Sequence, residues 1–467
     1  MSPQELAEAI NAYVWKHYDR LVNLDRSYIS KLELGKHHWP NAQYRAALRS
    51  ILPAPDDASL GFYPRQRSQP QRPSGDHHGA EHEERTGSVA SAAGNSSKAL
   101  RAAERTIESI DLSDSPWTPD RIHELAGFIA SGGELGPQTA REVSQAWRTT
   151  QPPQILELRS GRRIGQRLAD LVIERTETLR RMDDFLGGAD MHDLVRQELT
   201  TTLTMIDDAS YTEPIGRQIL ASVGELAQLA GWVADDAGLR QQAERYYLAG
   251  VSAAHAARDE PLAANLLSTL SYQYANIGDP REAVLLATTA ANGVPPHTTG
   301  TTRALLMERV AWANARLGDA RATERALGAV DDLFTETKYA EPEPNFTYWL
   351  TRDEIAVMAG RCYVQLQRPE PAITLLTGAV DRYDDSHQRE TSLYLSYLAE
   401  AHLQAKDVEA SVTVALRALE AAMGVASARS SGRINHLLHL LAPSKTNERV
   451  REFSEALLAS RPHAWPT

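Results

Sequence analysis

Five segments of this chain repeat one pattern: an apolar helix-forming stretch, a short break, and a second helix-forming stretch opened by a small residue. The breaks read Asp236-Ala237-Gly238, Ile277-Gly278-Asp279, Leu317-Gly318-Asp319, Leu366-Gln367-Arg368 and Ala405-Lys406-Asp407. Aligned on positions 238, 278, 318, 367 and 406, they lie 40, 40, 49 and 39 residues apart. Small residues follow at Ala243, Ala283, Ala322, Ala372 and Ala410. One helix pair cannot bury its apolar face alone, whereas stacked neighbours can, so the period predicts a curved solenoid. The 49-residue interval holds an insertion, residues Glu341 to Trp349. A last helix at about 446–459 shows a polar face of Glu448, Arg449, Arg451 and Glu452, as a terminal cap should.

Composition agrees with an all-α protein: Ala, Leu, Arg and Glu dominate, and aromatics are 6% of 467 residues. Short helices are expected around Trp117, Phe128 and Trp147. The brief alternation over Gln154–Arg159 reads as a helix entrance, because residues 161–181 carry a strong 3.6-residue period. The lone Cys362 excludes an internal disulfide framework and any multi-cysteine zinc module, and fits a reducing compartment. It reads as a buried small hydrophobe. No window approaches the roughly 18 consecutive apolar residues of a membrane-spanning helix. The polar, acidic pattern after Met1 is not that of a signal peptide.

Enzyme readings find little support. Phosphate-loop, dinucleotide-binding, His-Glu-x-x-His and Gly-x-Ser-x-Gly patterns are all missing from the sequence. The adjacent pairs Asp183-Asp184, Asp207-Asp208 and Asp331-Asp332 point about 100° apart on a helix and read as surface charge. No catalytic residue, cofactor or metal site is expected. His77, His78 and His82 read as solvated side chains.

Four regions follow: a compact helical head at 1–62, a linker at 63–98, a helical start of the body at 99–215, and the repeats with their cap at 216–467. Residues 64–98 contain one large aliphatic, Val89, too little apolar surface to offset the entropy of ordering, so the linker is expected to be disordered. Charge is uneven. Residues 1–72 hold ten Lys and Arg against seven Asp and Glu, while the chain as a whole carries −12. A basic head on an acidic body suits a protein whose head alone touches nucleic acid.

In the head, Ser2, Pro3 and Glu5 make an N-cap, a proline at the first helical position and a capping-box glutamate. The helix opens with Gln4-Glu5-Leu6-Ala7-Glu8. Later comes Asp25-Arg26-Ser27-Tyr28-Ile29-Ser30-Lys31-Leu32-Glu33-x-Gly35. Ile29 and Leu32, three apart, would seat a second helix on the core. That would leave Arg26, Ser27, Tyr28, Ser30 and Lys31 facing outward near the helix N-terminus, where a recognition helix meets base edges and phosphates. The order of pieces resembles the helix-turn-helix of the XRE class, the lambda repressor and Cro fold. That resemblance implies double-stranded DNA as partner and a phosphate contact for Gln4. The resemblance starts at the family's second helix, so its first helix is expected to be missing from this sequence, and Ala12 to Leu24 lengthen the step between the two helices. A third helix, capped at Asn41, would carry Tyr44, Ala47, Leu48 and Ile51.

Tyr274-x-x-x-Gly278-Asp279-x-x-Glu282-Ala283 resembles the tetratricopeptide-repeat consensus, with a period near 40 in place of about 34. The ninth position of that frame, which in the family faces the concave surface, is occupied by Trp232, Tyr272, Trp312, Arg361 and Glu400. Such a row suits a groove for a peptide or small amphipathic effector, or repeat-to-repeat packing. The longer step in the head, Trp39-Pro40-Asn41, and the stretches Leu226–Trp232 and Tyr394–His402 are similar to a subgroup of actinobacterial regulators with repeat bodies. The expectation is a cytoplasmic, nucleoid-associated, homodimeric transcriptional regulator with a sensing solenoid and no membrane attachment. The alternative is a cytoplasmic repeat scaffold without DNA binding.

Overall fold

The computed structural model describes residues 2–18, 24, 29, 32, 40, 42–52, 54, 58–60, 110–132, 134–154, 156–159, 161–186, 188–207, 209–336, 343–383, 387–423 and 427–464. The chain divides into two compact units, Met1–Ser88 and Val89–Thr467. The linker at 63–98 lies outside the described residues.

In the first unit, helix α1 spans Pro3–Tyr18. Its N-terminus is the reciprocal box read from sequence. The Ser2 N–H donates to Glu5 Oε2 at 2.7 Å and the Glu5 N–H to Ser2 Oγ at 3.3 Å, satisfying donors that a helix start otherwise leaves open. Much of the lengthened step at Ala12–Leu24 is therefore continued helix. Its far end is tied back by the Asn11 amide, which donates to the Leu24 carbonyl at 3.0 Å and accepts its N–H at 2.9 Å. Helix α2, Ala42–Ile51, packs on α1. Ala7, Ile10, Val14, Ala47 and Leu48 form the core between them, and Ile29, 1% exposed, is buried in it with Leu32 beside it.

The second unit is almost wholly helical among its described residues. It opens with α3 (Pro119–Ala130) and α4 (Pro137–Thr149), which bury Trp117, Phe128 and Trp147. Gln154–Arg159 does not enter a helix. Leu158 bridges Tyr211, and β1 (Arg162–Arg163) pairs in parallel with β2 (Ala209–Ser210). Among the described residues of the alternation Leu158 alone is bridged, and α5 begins only at Gln166, running to Asp183. Helix α6 follows at Gly188–Asp207.

Five helical hairpins then stack: α7–α8 (Glu213–Asp236, Arg240–Ala257), α9–α10 (Glu260–Ile277, Pro280–Gly293), α11–α12 (Gly300–Leu317, Ala320–Glu336), α13–α14 (Arg352–Gln365, Pro369–Val380) and α15–α16 (Gln388–Gln404, Val408–Ala422); α17 (Ala428–Leu441) packs on α15 and α18 (Glu448–Ala464) on α16. The five breaks fall between the two helices of each hairpin. The join between α17 and α18 has no such signature. Helix α18 turns Val450, Phe453 and Leu457 inward and leaves Glu448, Arg451 and Glu452 exposed.

The local chemistry of the breaks explains their recurrence. Gly238, Gly318, Gln367 and Lys406 take positive φ (83°, 83°, 57° and 69°), which turns the chain out of the first helix. Asp279, Asp319 and Asp407 then accept N–H bonds from the start of the next helix. The small residue that meets the preceding helix sits five positions after the break: Ala243, Ala283, Thr323, Ala372 and Ser411, all fully buried. Ala322 and Ala410, read from sequence as the small positions, are one residue off and only half-buried. Threonine and serine fill the contact instead because their hydroxyls find backbone carbonyls, Asp319 for Thr323 and Ala399 for Ser411, both at 2.8 Å.

Left-handed backbone costs a non-glycine residue about 1–2 kcal/mol. Lys406→Gly is expected to stabilise the body by about 1 kcal/mol and Gly318→Ala to destabilise it by a similar amount. No neighbour lies within 4 Å of a Cβ added at 318, so backbone strain alone is tested. Urea denaturation of the two variants checks the opposite signs.

Within the Leu226–Trp232 stretch, Gly231 has a different role. A Cβ there would lie 2.3 Å from Tyr247 Cε1, so the glycine lets α8 lay a tyrosine ring directly on the α7 backbone. Among the described residues no helix is long and apolar enough to cross a membrane.

Candidate functional site

The stack places the ninth-position residues in a row. Trp232 and Tyr272 have ring centroids 6.2 Å apart, and Tyr272 and Trp312 6.3 Å. The Arg361 guanidinium continues the row, 4.5 Å from the Trp312 centroid and 4.9 Å from that of Tyr397, and donates to the Tyr272 hydroxyl at 2.7 Å. Beyond it, Arg433 covers Tyr397 at 3.8 Å and donates to Glu400 at 2.6 Å, with His436 3.6 Å from the same carboxylate.

A cavity of about 470 Å³ lies against one end of this row. Trp232, Tyr272 and Arg361 line it; Trp312 and Glu400 are not among its lining residues. The row thus divides. Trp232, Tyr272 and Arg361 face the cavity, and Trp312 packs between repeats, its indole N–H donating to Asn276 at 3.1 Å.

Other parts of the body complete the walls. The insertion contributes Phe346, Tyr348 and Trp349. It folds inward because its Tyr348 ring lies under the Arg181 guanidinium at 3.8 Å and its hydroxyl donates to Asp184. The end of α5 contributes Arg180, Asp183 and Asp184, and α15 and α17 contribute Arg389 and Arg429. Asp183, read from sequence as surface charge, is buried. Arg389 donates to it across 206 positions of chain at 3.3 Å. Burial raises the Asp183 carboxyl, partly offset by Arg389.

Asp236 is the centre of this closure. It is 1% exposed and accepts from Arg429 Nε and Ser427 Oγ, both at 2.7 Å, and from the Gly188 N–H at 3.2 Å, with Arg389 3.8 Å away. Burial alone would raise its carboxyl; Arg429 and Arg389 outweigh burial and hold it below the usual range. First and last hairpins of the stack are thereby clamped around the cavity.

The cavity's own electrostatics lean positive at Tyr272. Burial would raise the phenol, yet Arg361, Arg429 and Arg309 together bring it below the ordinary tyrosine value. On the opposite wall Glu354, at the start of α13, accepts from the Tyr394 hydroxyl at 2.8 Å and from that of Tyr383. Burial pushes this carboxyl up to about 7, against the lowering effect of the two hydroxyls. Arg309 and Glu354 escaped the ninth-position reading. The signal for Arg309 was present in sequence: Glu308-Arg309 interrupts the apolar run Leu305-Leu306-Met307 and Val310-Ala311-Trp312.

Cys362 is buried, and its thiol is raised by burial and by Glu308. No group of His, Cys, Asp and Glu able to hold a metal ion occurs among the described residues. In the head, Gln4 is exposed and donates to Glu8 at 2.8 Å. Arg26, Ser27, Tyr28, Ser30 and Lys31 lie outside the described residues. Comparison with protein-family models finds none that matches the chain, and comparison with curated proteins finds no significant match.

Proposed function

We propose that this chain is a sequence-specific DNA-binding transcriptional regulator whose tetratricopeptide-like solenoid senses an effector held in the cavity. The observation that carries the DNA half is the seating of Ile29 and Leu32 against α1 and α2. The XRE-type pattern requires that register if the intervening residues are to form a reading face. The sensing half rests on the cavity, where buried charged and aromatic side chains from several parts of the body converge. The regulator acts as a homodimer, because one short recognition helix buries too little surface for tight specific binding.

Selection of genomic DNA fragments by the full chain, followed by anisotropy titration, tests the reading. Arg26→Ala is expected to weaken the selected site by about 1–3 kcal/mol and relax sequence preference. Lys31→Ala should weaken specific and non-specific DNA alike and reduce the salt slope by about 1. A chain that enriches no sequence leaves the scaffold function in its place.

A further inference from the structure

Resting on the sensing role proposed for the cavity, the next question is what chemistry the cavity selects. Three of its arginines are matched by hydrogen-bonded carboxylates: Arg382 by Asp353, Arg389 by Asp183 and Arg429 by Asp236. Arg180 donates to Gln228 at 2.8 Å and lies 3.5 Å from Glu225, with Nε and Nη2 left without hydrogen-bond partners. Two more, Arg309 and Arg361, lie against the Tyr272 ring in the cavity wall.

Arg361, 2% exposed, spends its N–H groups on the Tyr272 hydroxyl and the Met358 sulfur, and its Nε has no hydrogen-bond partner. Arg309, 4% exposed, has no hydrogen-bond partner for Nε or Nη1. Its guanidinium lies 4.6 Å from the Tyr272 centroid and 5.8 Å from that of Trp349, two rings that line the same cavity. The carboxylate near it is that of the adjacent Glu308, at 3.5 Å. Neither Glu308 oxygen is hydrogen-bonded, and burial raises that carboxyl toward its neutral form. A buried guanidinium with unmade hydrogen bonds is costly unless something completes it.

We propose that the cavity binds a small organic anion with an apolar, ring-bearing body, its carboxylate or phosphate taken by Arg309 and Arg361 and its rings lying against Trp232, Tyr272 and Trp349. The volume suits a single small molecule, for which pockets of about 300–1,000 Å³ are usual. The lining takes in Trp232, Tyr272 and Arg361 and leaves out Trp312 and Glu400, so the cavity does not run along the row, which favours a compact ligand over an extended chain. Guanidinium pairs with carboxylate and phosphate through short, charge-assisted bonds, and those bonds gain strength where water is excluded.

Two dyes sharing one ring system isolate the anion's contribution: 1-anilinonaphthalene-8-sulfonate and its neutral counterpart N-phenyl-1-naphthylamine. The full chain is expected to bind one sulfonate dye per chain, about tenfold or more tighter than the neutral dye. Arg309→Met keeps an apolar side chain between the two rings and should abolish that preference while retaining the neutral dye. Arg352→Gln, at an exposed ion pair with Asp331, should leave the preference intact. Displacement by 1-naphthoate and by 1-naphthyl phosphate distinguishes the two anion classes, and neutral 1-naphthalenemethanol should displace neither dye efficiently. That wild-type arm decides the matter should Arg309→Met fail to fold. Equal binding of the two dyes, no binding of the sulfonate dye, or a preference that survives Arg309→Met in a folded variant overturns the proposal. None of these arms involves DNA, so the ligand chemistry and the regulator reading fail separately.

Discussion

Asp236→Ala is expected to destabilise the repeat body by about 3–5 kcal/mol, the largest loss foreseen for any single exposed-to-buried ion-pair comparison in this chain. Removing one member of a buried charge network leaves the others in low dielectric without compensation. Here Arg429 and Arg389 would both lose their shared carboxylate, and Ser427 Oγ and the Gly188 N–H would lose their acceptor. The exposed pair Asp331–Arg352 supplies the contrast: Asp331→Ala should cost no more than about 1 kcal/mol. The carboxyl of Asp236 is held low, so its contribution is fully present above the ordinary aspartate range and disappears as pH falls through its depressed folded value. Chemical denaturation of both variants at neutral pH measures the difference. Equal, small losses would mean that the clamp between first and last hairpins contributes little.

That clamp also shows where sequence reading stops. The breaks were legible because each is written in local chemistry: a residue in left-handed backbone at Gly238 and Gln367, an aspartate that caps the next helix at Asp279, and both at Gly318-Asp319 and Lys406-Asp407. The row Trp232, Tyr272, Trp312, Arg361 was legible because a constant frame position repeats along a stack. Asp236 and Arg429 are 193 positions apart, and their meeting depends on small rotations summed over five hairpins, which no local pattern encodes. The same holds for Asp183, a polar helix residue that reads as solvated until Arg389 arrives beside it. The insertion was visible as extra length; that it lines the cavity follows from Tyr348 finding Asp184 and Arg181. In the head, Ile29 and Leu32 were legible from spacing alone, and the burial of one and the half-burial of the other accord with it.

Glu354→Gln is expected to remove a pH dependence of about 3 kcal/mol from the stability of the body. Glu354 is buried beside the cavity, with the hydroxyls of Tyr383 and Tyr394 donating to it and the carboxylates of Glu390 and Glu308 acting on it from neighbouring helices. Burial is the main cause that raises its pKa, the two carboxylates add to it and the hydroxyls oppose them, for a net rise from 4.5 to about 7. A folded pKa above the unfolded one means that the native state holds the proton more tightly. The resulting stabilisation is complete below about pH 4.5 and is lost as pH rises through about 7. Glutamine keeps an acceptor for the tyrosine hydroxyls and cannot ionise. Wild type and Glu354→Gln should therefore be similar near pH 4.5, while at pH 8 the variant should be the more stable by about 3 kcal/mol. Taking the difference between the two chains at each pH cancels the opposing titration of Asp236 and the other carboxylates. Urea midpoints at pH 5, 6.5 and 8 read that difference directly. Parallel curves would show that Glu354 titrates as it does in the unfolded chain, and that the cavity wall carries no ionisation near neutral pH.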